Sequence, residues 1–154
     1  MDKRFDEIFL LYNKDIFRCS ISYVINKHDA EDIVQKTFYK LYANKKILNK
    51  ENEVIKKWLY KVCINESKDL LKSSWKKVNT NDELLINKSN TKKKEVDLID
   101  LLKTITPIYR STLYLYYYEG YSIKEIANII KKSESAVKMR LTRGKEELKK
   151  EMEV

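Results

Sequence analysis

Polar and basic side chains recur at helical spacing in the segment from Tyr121 to Glu147, near the C-terminus. If Val137 and Leu141 face inward, the side chains that face outward are Ser135, Lys138, Met139, Thr142 and Arg143. Arginine and lysine bond guanine edges or phosphates, and threonine or methionine packs on a thymine methyl group. An ordinary helical hairpin with a solvated charged face has the same pattern. Two interpretations therefore stay open for this segment, a DNA-reading helix-turn-helix and a plain hairpin.

A second set of side chains lies on the helix predicted to follow Val54. Its basic face interleaves lysines with aromatic residues and an amide: Lys57, Lys61, Lys68 and Lys72 with Trp58, Tyr60, Asn65 and Trp75. Lysines hold phosphates, while aromatic and amide side chains stack on or bond exposed bases. A merely solvated face is the competing interpretation, and for Trp58 we expect a place in the core.

A third set lies on the preceding helix. Asp29, Asp32, Gln35 and Lys36 face away from the apolar side chains of that helix. An acidic, amide-bearing patch is a poor contact for DNA, so on an otherwise basic protein it indicates a surface for docking another protein. Acidic first turns are common in helices, and this inference is therefore a hypothesis.

Catalytic chemistry has no visible basis in the sequence. We find no nucleophile paired with a base, no phosphate-cradling glycine loop and no cluster of metal ligands, since His28 is the only histidine. Cys19 and Cys63 sit inside apolar helical patterns, which predicts reduced core thiols. We expect a protein without enzymatic activity, cofactor or metal.

The composition of the 154 residues favours helices as the elements that position these side chains. Only 2 glycines and 1 proline are present, too few for a sandwich or barrel built from tight turns, while 43% hydrophobic residues suffice for a core. Apolar periodicity predicts a first helix from Phe5 to Ile25, a second capped by Asp29, and a third from Val54 to Leu71. The polar stretch from Ala43 to Glu53 separates the second from the third.

The C-terminal half contains separate helical signals. Val96 to Thr104 predicts a short helix, and Pro107 is placed to begin another that ends at Glu119, before Gly120. Ser122 and Glu125 have the spacing of a capping box at the start of a further helix.

Between the halves, Lys76 to Lys94 lacks apolar periodicity and indicates a polar linker. We therefore predict an all-α protein of two small helical domains, 1–75 and 96–154, joined by a flexible polar linker over 76–95. The same reasoning predicts that the two domains tumble semi-independently.

Net charge and the N-terminal residues limit the partners and the compartment. The formal charge of +9 and the pI near 9.3 suit a polyanionic partner. The N-terminal residues do not resemble a signal peptide, and no apolar run approaches membrane-spanning length. We expect a soluble, cytoplasmic protein without membrane insertion.

Three segments together resemble one family. "DAEDIVQKTF", "WLYKVCINESKDLL" and "YSIKEIANIIKKSESAVKMRLTRGKEELK" are similar to the bacterial RNA polymerase sigma factors of the extracytoplasmic-function (ECF) group of the sigma-70 family. Their order, the intervening linker and the total length also fit. The resemblance covers about residues 5–75 and 96–150, and it implies a partnership with core RNA polymerase and with promoter DNA, both double-stranded and melted. Members of this family commonly have an anti-sigma factor, which makes one a candidate partner.

The resemblance also implies a role for each set of side chains. Asp29, Asp32, Gln35 and Lys36 match positions that grip core polymerase, although Lys36 replaces a residue that is usually acidic. Five residues match the segment that captures unpaired minus-ten bases: Lys61, Asn65, Lys68, Asp69 and Lys72. The loop from Leu48 to Glu53 would shape a pocket for a flipped base. Ser135, Lys138, Met139, Thr142 and Arg143 match the minus-thirty-five reading surface.

One departure concerns the turn of the hairpin. Lys131 and Lys132 stand where the family usually has a glycine and an apolar residue, which predicts a looser turn.

The function that we predict is that of an alternative sigma factor, which directs core polymerase to a set of promoters. Two rival hypotheses also use DNA binding: a stand-alone helix-turn-helix regulator, and a sigma-like activator of toxin or bacteriocin genes. A helical adaptor whose basic charge serves solubility is the rival from another class. Initiation of transcription by core polymerase distinguishes the sigma factor from all three.

Overall fold

The computed structural model describes the backbone of residues 2–80 and 101–152, and the side chains of residues 2–73 and 101–152. All regular secondary structure within these ranges is helical, which confirms the predicted all-α class. The helices are α1 (Lys3–Val24), α2 (Lys27–Ala43), α3 (Lys45–Leu48), α4 (Asn52–Thr80), α5 (Pro107–Leu113), α6 (Ile123–Ile130) and α7 (Glu134–Met152).

Helices α1, α2 and α4 pack against one another and form the N-terminal unit. Its core is apolar, with Ile16, Ile33, Leu41, Ile55 and Leu59 at most 1% exposed. The prediction that Asp29 caps the second helix was wrong. Asn26 has extended backbone and its side chain accepts a hydrogen bond from the Asp29 N–H at 2.8 Å, so the helix begins at Lys27.

The segment between α2 and α4 is more helical than predicted. Asn44 caps the four-residue helix α3 by accepting from the Ile47 N–H at 3.1 Å. Helix α4 runs to Thr80 and so extends into the range 76–95 that we predicted as linker, because no glycine or proline stands there to end it. Residues 81–100 lie outside the described ranges, and the domain bounds therefore stay predictions.

The first described residues of the C-terminal unit, 101–103, are helical, while residues 96–100 of the predicted short helix lie outside the described ranges. Pro107 occupies the first turn of α5, as predicted. The helix then widens into a π-helical turn over Tyr114–Tyr118, and Gly120 follows with φ +77°. The widened turn stacks the rings of Tyr114 and Tyr118, with centroids 5.1 Å apart.

Helices α6 and α7 form the predicted helix-turn-helix. The capping box is present, because Ser122 accepts from the Glu125 N–H at 3.1 Å and Glu125 accepts from the Ser122 N–H at 3.0 Å. Ile126 and Val137, both fully buried, hold the two helices together. Lys131 ends α6 in the left-handed conformation, with φ 56°.

We expect Lys131→Gly to raise the free energy of unfolding by about 0.5 kcal/mol, because the left-handed conformation costs lysine more than the added backbone freedom costs glycine. Lys132→Gly is the matched control. Lys132 does not have a positive φ, so its replacement should lower stability. Chemical denaturation of the two variants measures the difference. Equal destabilisation by both would contradict the explanation.

The N-terminal and C-terminal units pack against each other, through α1 with α5 and α4 with α6. The expectation that they tumble semi-independently does not describe this structure. Tyr60 of α4 meets the rings of Tyr114 and Tyr121 at centroid distances of 6.2 and 6.1 Å. From the sequence, these tyrosines fit the core of their own unit equally well, because apolar periodicity does not say which neighbour covers a helix face.

Candidate nucleic-acid and protein interfaces

Helix α7 presents one outward face opposite its buried residues Val137 and Leu141. All five side chains predicted to read DNA are exposed on it: Ser135, Lys138, Met139, Thr142 and Arg143. Within the described part of the chain, none of the five forms a hydrogen bond or an ion pair. This face therefore consists of two cationic side chains, two hydroxyl groups and the apolar Met139, all of which are free to meet a ligand.

The predicted minus-ten face of α4 is open along only part of its length. Asn65, Lys68, Asp69 and Lys72 are exposed, whereas Lys61 is half-buried. Lys131 lies beside Lys61, and together with burial it lowers the pKa of the Lys61 ammonium group. The beginning of this face therefore lies against the helix-turn-helix, and its end faces solvent.

The predicted polymerase-binding face lies on α2. Asp32 and Lys36 are each about half exposed and form an ion pair at 3.4 Å, one helical turn apart. Gln35 is exposed, and Asp29 is half-buried. Asp29 and Lys36 line a cleft of about 330 Å³ between α2 and α4, and Asp69 of the minus-ten set lines it too. The structure thus brings the two predicted sets of the N-terminal unit side by side.

A buried carboxylate for which the sequence predicts no role lies where the two units meet. Glu119 accepts hydrogen bonds from Lys56 Nζ at 3.1 Å, from the Tyr60 hydroxyl and from the Tyr114 hydroxyl at 3.5 Å. Asp15 lies 3.8 Å from Lys56 Nζ. We call these five residues the Glu119 cluster. Lys56 and Tyr60 belong to α4, so one carboxylate of the C-terminal unit is held by donors from the N-terminal unit.

The protonation states in the Glu119 cluster follow from burial and charge. Burial raises the pKa of the Tyr60 and Tyr114 hydroxyls, which therefore stay protonated and donate. Burial alone would lower the pKa of Lys56, but the hydrogen bond and the charge of Glu119 raise it. The only sequence signal for this cluster was a glutamate that follows the tyrosine-rich run from Tyr114 to Tyr118.

Two further contacts join the units. The guanidinium group of Arg110 is buried; its Nη1 donates to the Tyr23 carbonyl oxygen of α1 and its Nε donates to the Ile105 carbonyl oxygen at 2.9 Å. Lys57 of α4 pairs with Glu125 of α6 at 3.1 Å. The Arg110 contact satisfies a carbonyl group in the last turn of α1, where no helical donor is available.

The cysteines are free and buried, as predicted. The Cys63 thiol lies 3.7 Å from the Ile16 carbonyl oxygen, and the hydrogen bond with Cys63, together with burial, raises the pKa of Cys19 well above its usual range. Among the described residues, no group of histidine, cysteine and acidic side chains is arranged to hold a metal ion. No helix in the described ranges has the length and apolar character needed to cross a membrane.

Comparison with known proteins gives two family matches. The family model "Sigma-70 region 2" matches residues 8–77, and the family model "Sigma-70, region 4" matches residues 95–148. The ECF RNA polymerase sigma factor SigM of Bacillus subtilis (strain 168) is 30% identical over 152 residues, which are 94% of this chain and 92% of SigM. The RNA polymerase sigma factor SigV of the same strain is 31% identical over 136 residues, 86% of this chain and 81% of SigV.

A solved structure has the same fold. The sigma factor RpoE of Bartonella quintana, crystallised in complex with the anti-sigma factor NepR, superposes with a TM-score of 0.77 over 99% of both chains, at 23% identity. Because the sequence also matches regions 2 and 4 and SigM, the similarity is one of family as well as of fold. The chain belongs to the ECF group of the sigma-70 family, the alternative sigma factors that direct RNA polymerase to promoters.

Proposed function

We propose that the two units of this sigma factor divide promoter recognition between them. The N-terminal unit, 1–75, binds core polymerase and captures unpaired minus-ten bases, and the C-terminal unit, 96–154, reads the minus-thirty-five element as duplex. The observation that carries the proposal is the outward face of α7, where four polar or cationic side chains and Met139, all exposed and without protein partners among the described residues, stand on the second helix of a helix-turn-helix.

The test of this function is transcription reconstituted from the purified chain and core polymerase on a genomic DNA library. We expect new start sites that share two upstream motifs at a fixed spacing. Binding to DNA without initiation would instead support a stand-alone regulator that uses only α6 and α7. The proposed role requires no chemistry of its own and places the protein in the bacterial cytoplasm, where RNA polymerase works.

The proposed minus-ten role of α4 predicts a separation between opening and binding. Lys61→Ala/Lys68→Ala should reduce promoter opening about tenfold or more, because two phosphate-directed charges are lost from a face that also carries Asn65. Arg143→Ala should weaken the closed complex instead, since Arg143 lies on the groove-reading face. Permanganate reactivity of unpaired thymines measures opening, and a gel-shift titration measures closed-complex binding.

The control for that experiment removes the same charge elsewhere. Lys14 and Lys27 are exposed on α1 and at the start of α2, so Lys14→Ala/Lys27→Ala should open the promoter normally. If the Lys61/Lys68 variant also gave normal permanganate reactivity, α4 would have no role in single-strand capture.

Promoter geometry bears on the packing of the two units. Elements centred about 25 base pairs apart are separated by about 85 Å of B-form DNA. Helix α4, the longest described element with 29 residues, spans only about 44 Å, and a compact chain of about 130 residues has a radius of gyration of about 14 Å, so the packed arrangement is too short to reach both elements. Both units therefore bind one promoter only after the Glu119 cluster and the Arg110 contact have separated.

An anti-sigma factor is a candidate partner of this chain, by analogy with the complex of the Bartonella quintana protein. A protein inhibitor that clamps the packed arrangement of the two units would keep α7 and α4 from reaching their two promoter elements together.

A further inference from the structure

The first turn of α1 is bonded to the loop that precedes α4. Arg4 Nε donates to the Leu48 carbonyl oxygen at 3.2 Å, and Arg4 Nη2 donates to the Lys50 carbonyl oxygen at 2.7 Å. These contacts join residues 44 and 46 positions apart in the chain. A single guanidinium group thus fixes two points of the loop backbone.

The carbonyl groups at and after the end of α3 have no helical donor of their own. The N–H groups of Asn49 and Lys50 bond back to the carbonyl groups of Lys45 and Ile47. The carbonyl groups of Leu48 and Lys50 receive the Arg4 donors instead. Arginine suits this position because its planar fork bonds two acceptors at once, which a lysine ammonium group does less well.

The rest of the loop is arranged to present its side chains. Leu48 is 2% exposed and anchors the loop in the core, and the Tyr12 hydroxyl lies 3.5 Å from the Asn52 carbonyl oxygen. Between these two points Asn49, Lys50 and Glu51 are exposed. The backbone of the loop is therefore held from the side of α1, while its polar side chains face solvent.

We propose that Arg4 is a positioning residue that sets base selectivity at the minus-ten element, by fixing the loop from Leu48 to Glu53 against α1. The inference rests on the proposed function, in which the N-terminal unit captures unpaired minus-ten bases, and on the family resemblance, which implies that this loop shapes the pocket for a flipped base. Arg4 does not touch the base in this scheme. It holds the two carbonyl groups, and hence the exposed side chains between Leu48 and Asn52, in the one geometry that discriminates among bases.

The experiment measures initiation by holoenzyme from a promoter library in which the minus-ten element is randomised. Arg4→Met keeps the aliphatic stem and removes all donors, Arg4→Lys keeps the charge, and Lys3→Met removes an exposed charge from the same turn. We expect Arg4→Met to reduce selectivity at one base position about tenfold, the factor that corresponds to one lost charge-assisted hydrogen bond. Arg4→Lys should also lose selectivity, and Lys3→Met should keep the wild-type profile. Core-polymerase affinity should be unchanged in all three.

Three outcomes would overturn the inference: an unchanged base profile in folded Arg4→Met, a uniform fall in initiation at all sequences, or full rescue by Arg4→Lys. If Arg4→Met does not fold, the profile of Arg4→Lys decides in its place. The wild-type protein distinguishes a failure of the proposed function from a failure of the role of Arg4. Initiation by wild-type holoenzyme without any minus-ten preference contradicts the proposed function itself, whereas a wild-type preference that both Arg4 variants retain contradicts only the role of Arg4.

Discussion

Binding to core RNA polymerase should fall by at least about 100-fold when Asp32→Lys and Gln35→Ala are combined, because charged and amide groups at the centre of an interface contribute several kcal/mol. Both side chains are exposed on α2, so no cavity is opened. The new lysine would face Lys36 one turn away, at a cost of only a few tenths of a kcal/mol. A fluorescence titration against core polymerase measures the affinity.

Two controls accompany the titration. Asp6→Lys reverses another exposed carboxylate, on α1, and should bind core polymerase as the wild type does. Circular dichroism should show the double variant melting within a few degrees of the wild type, because neither residue contributes to the core. Core binding at wild-type affinity by the double variant would show that this surface of α2 is not the polymerase contact.

Local signals explain why much of the fold could be predicted from the sequence. The capping box of Ser122 and Glu125, the proline at the start of α5 and Gly120 each act within a few residues of their own position. The outward face of α7 could also be predicted, since helical periodicity alone turns Lys138 and Arg143 away from Val137. Features that depend on neighbours a few residues away in the chain can be predicted from a single sequence.

Features set by competing local signals, or by distant contacts, could not be predicted. Asn26 and Asp29 are both good helix caps three residues apart, and only the backbone conformation selects Asn26. The π-helical turn over Tyr114–Tyr118 includes a ring, that of Tyr114, which packs against Tyr60 of the other unit. Lys56 has the sequence context of a solvated lysine, and its ion pair with Glu119 arises from packing across 63 positions of the chain.

Glu119→Ala should weaken the packed arrangement of the two units more than Glu119→Gln or Lys57→Ala does. Glu119 is 9% exposed and Lys56 is 19% exposed, while the Tyr114 hydroxyl also has the Asp15 carbonyl oxygen as an acceptor at 3.3 Å. Removal of the carboxylate therefore leaves the buried Tyr60 hydroxyl without its acceptor and leaves the largely buried Lys56 ammonium group with only Asp15, at 3.8 Å. An unpaired buried group of this kind costs about 2–4 kcal/mol. The ratio of packed to separated molecules should therefore fall by a factor of about 30 to 1,000. Glu119→Gln keeps an acceptor for the hydroxyls and should have a smaller effect.

The distance between one label on α2 and one on α7, measured by spin-label or fluorescence spectroscopy, reports this ratio. Glu31→Cys and Glu146→Cys provide exposed attachment sites, while the native thiols of Cys19 and Cys63 are buried. Lys57→Ala is the control, because its ion pair with Glu125 is at least one third exposed and such pairs contribute only about 0–1 kcal/mol. If Glu119→Ala gave the wild-type distance distribution, the Glu119 cluster would not hold the units together.

If the distance increases, the same variant should bind core polymerase more tightly than the wild type, since polymerase then no longer has to separate the units before both can bind.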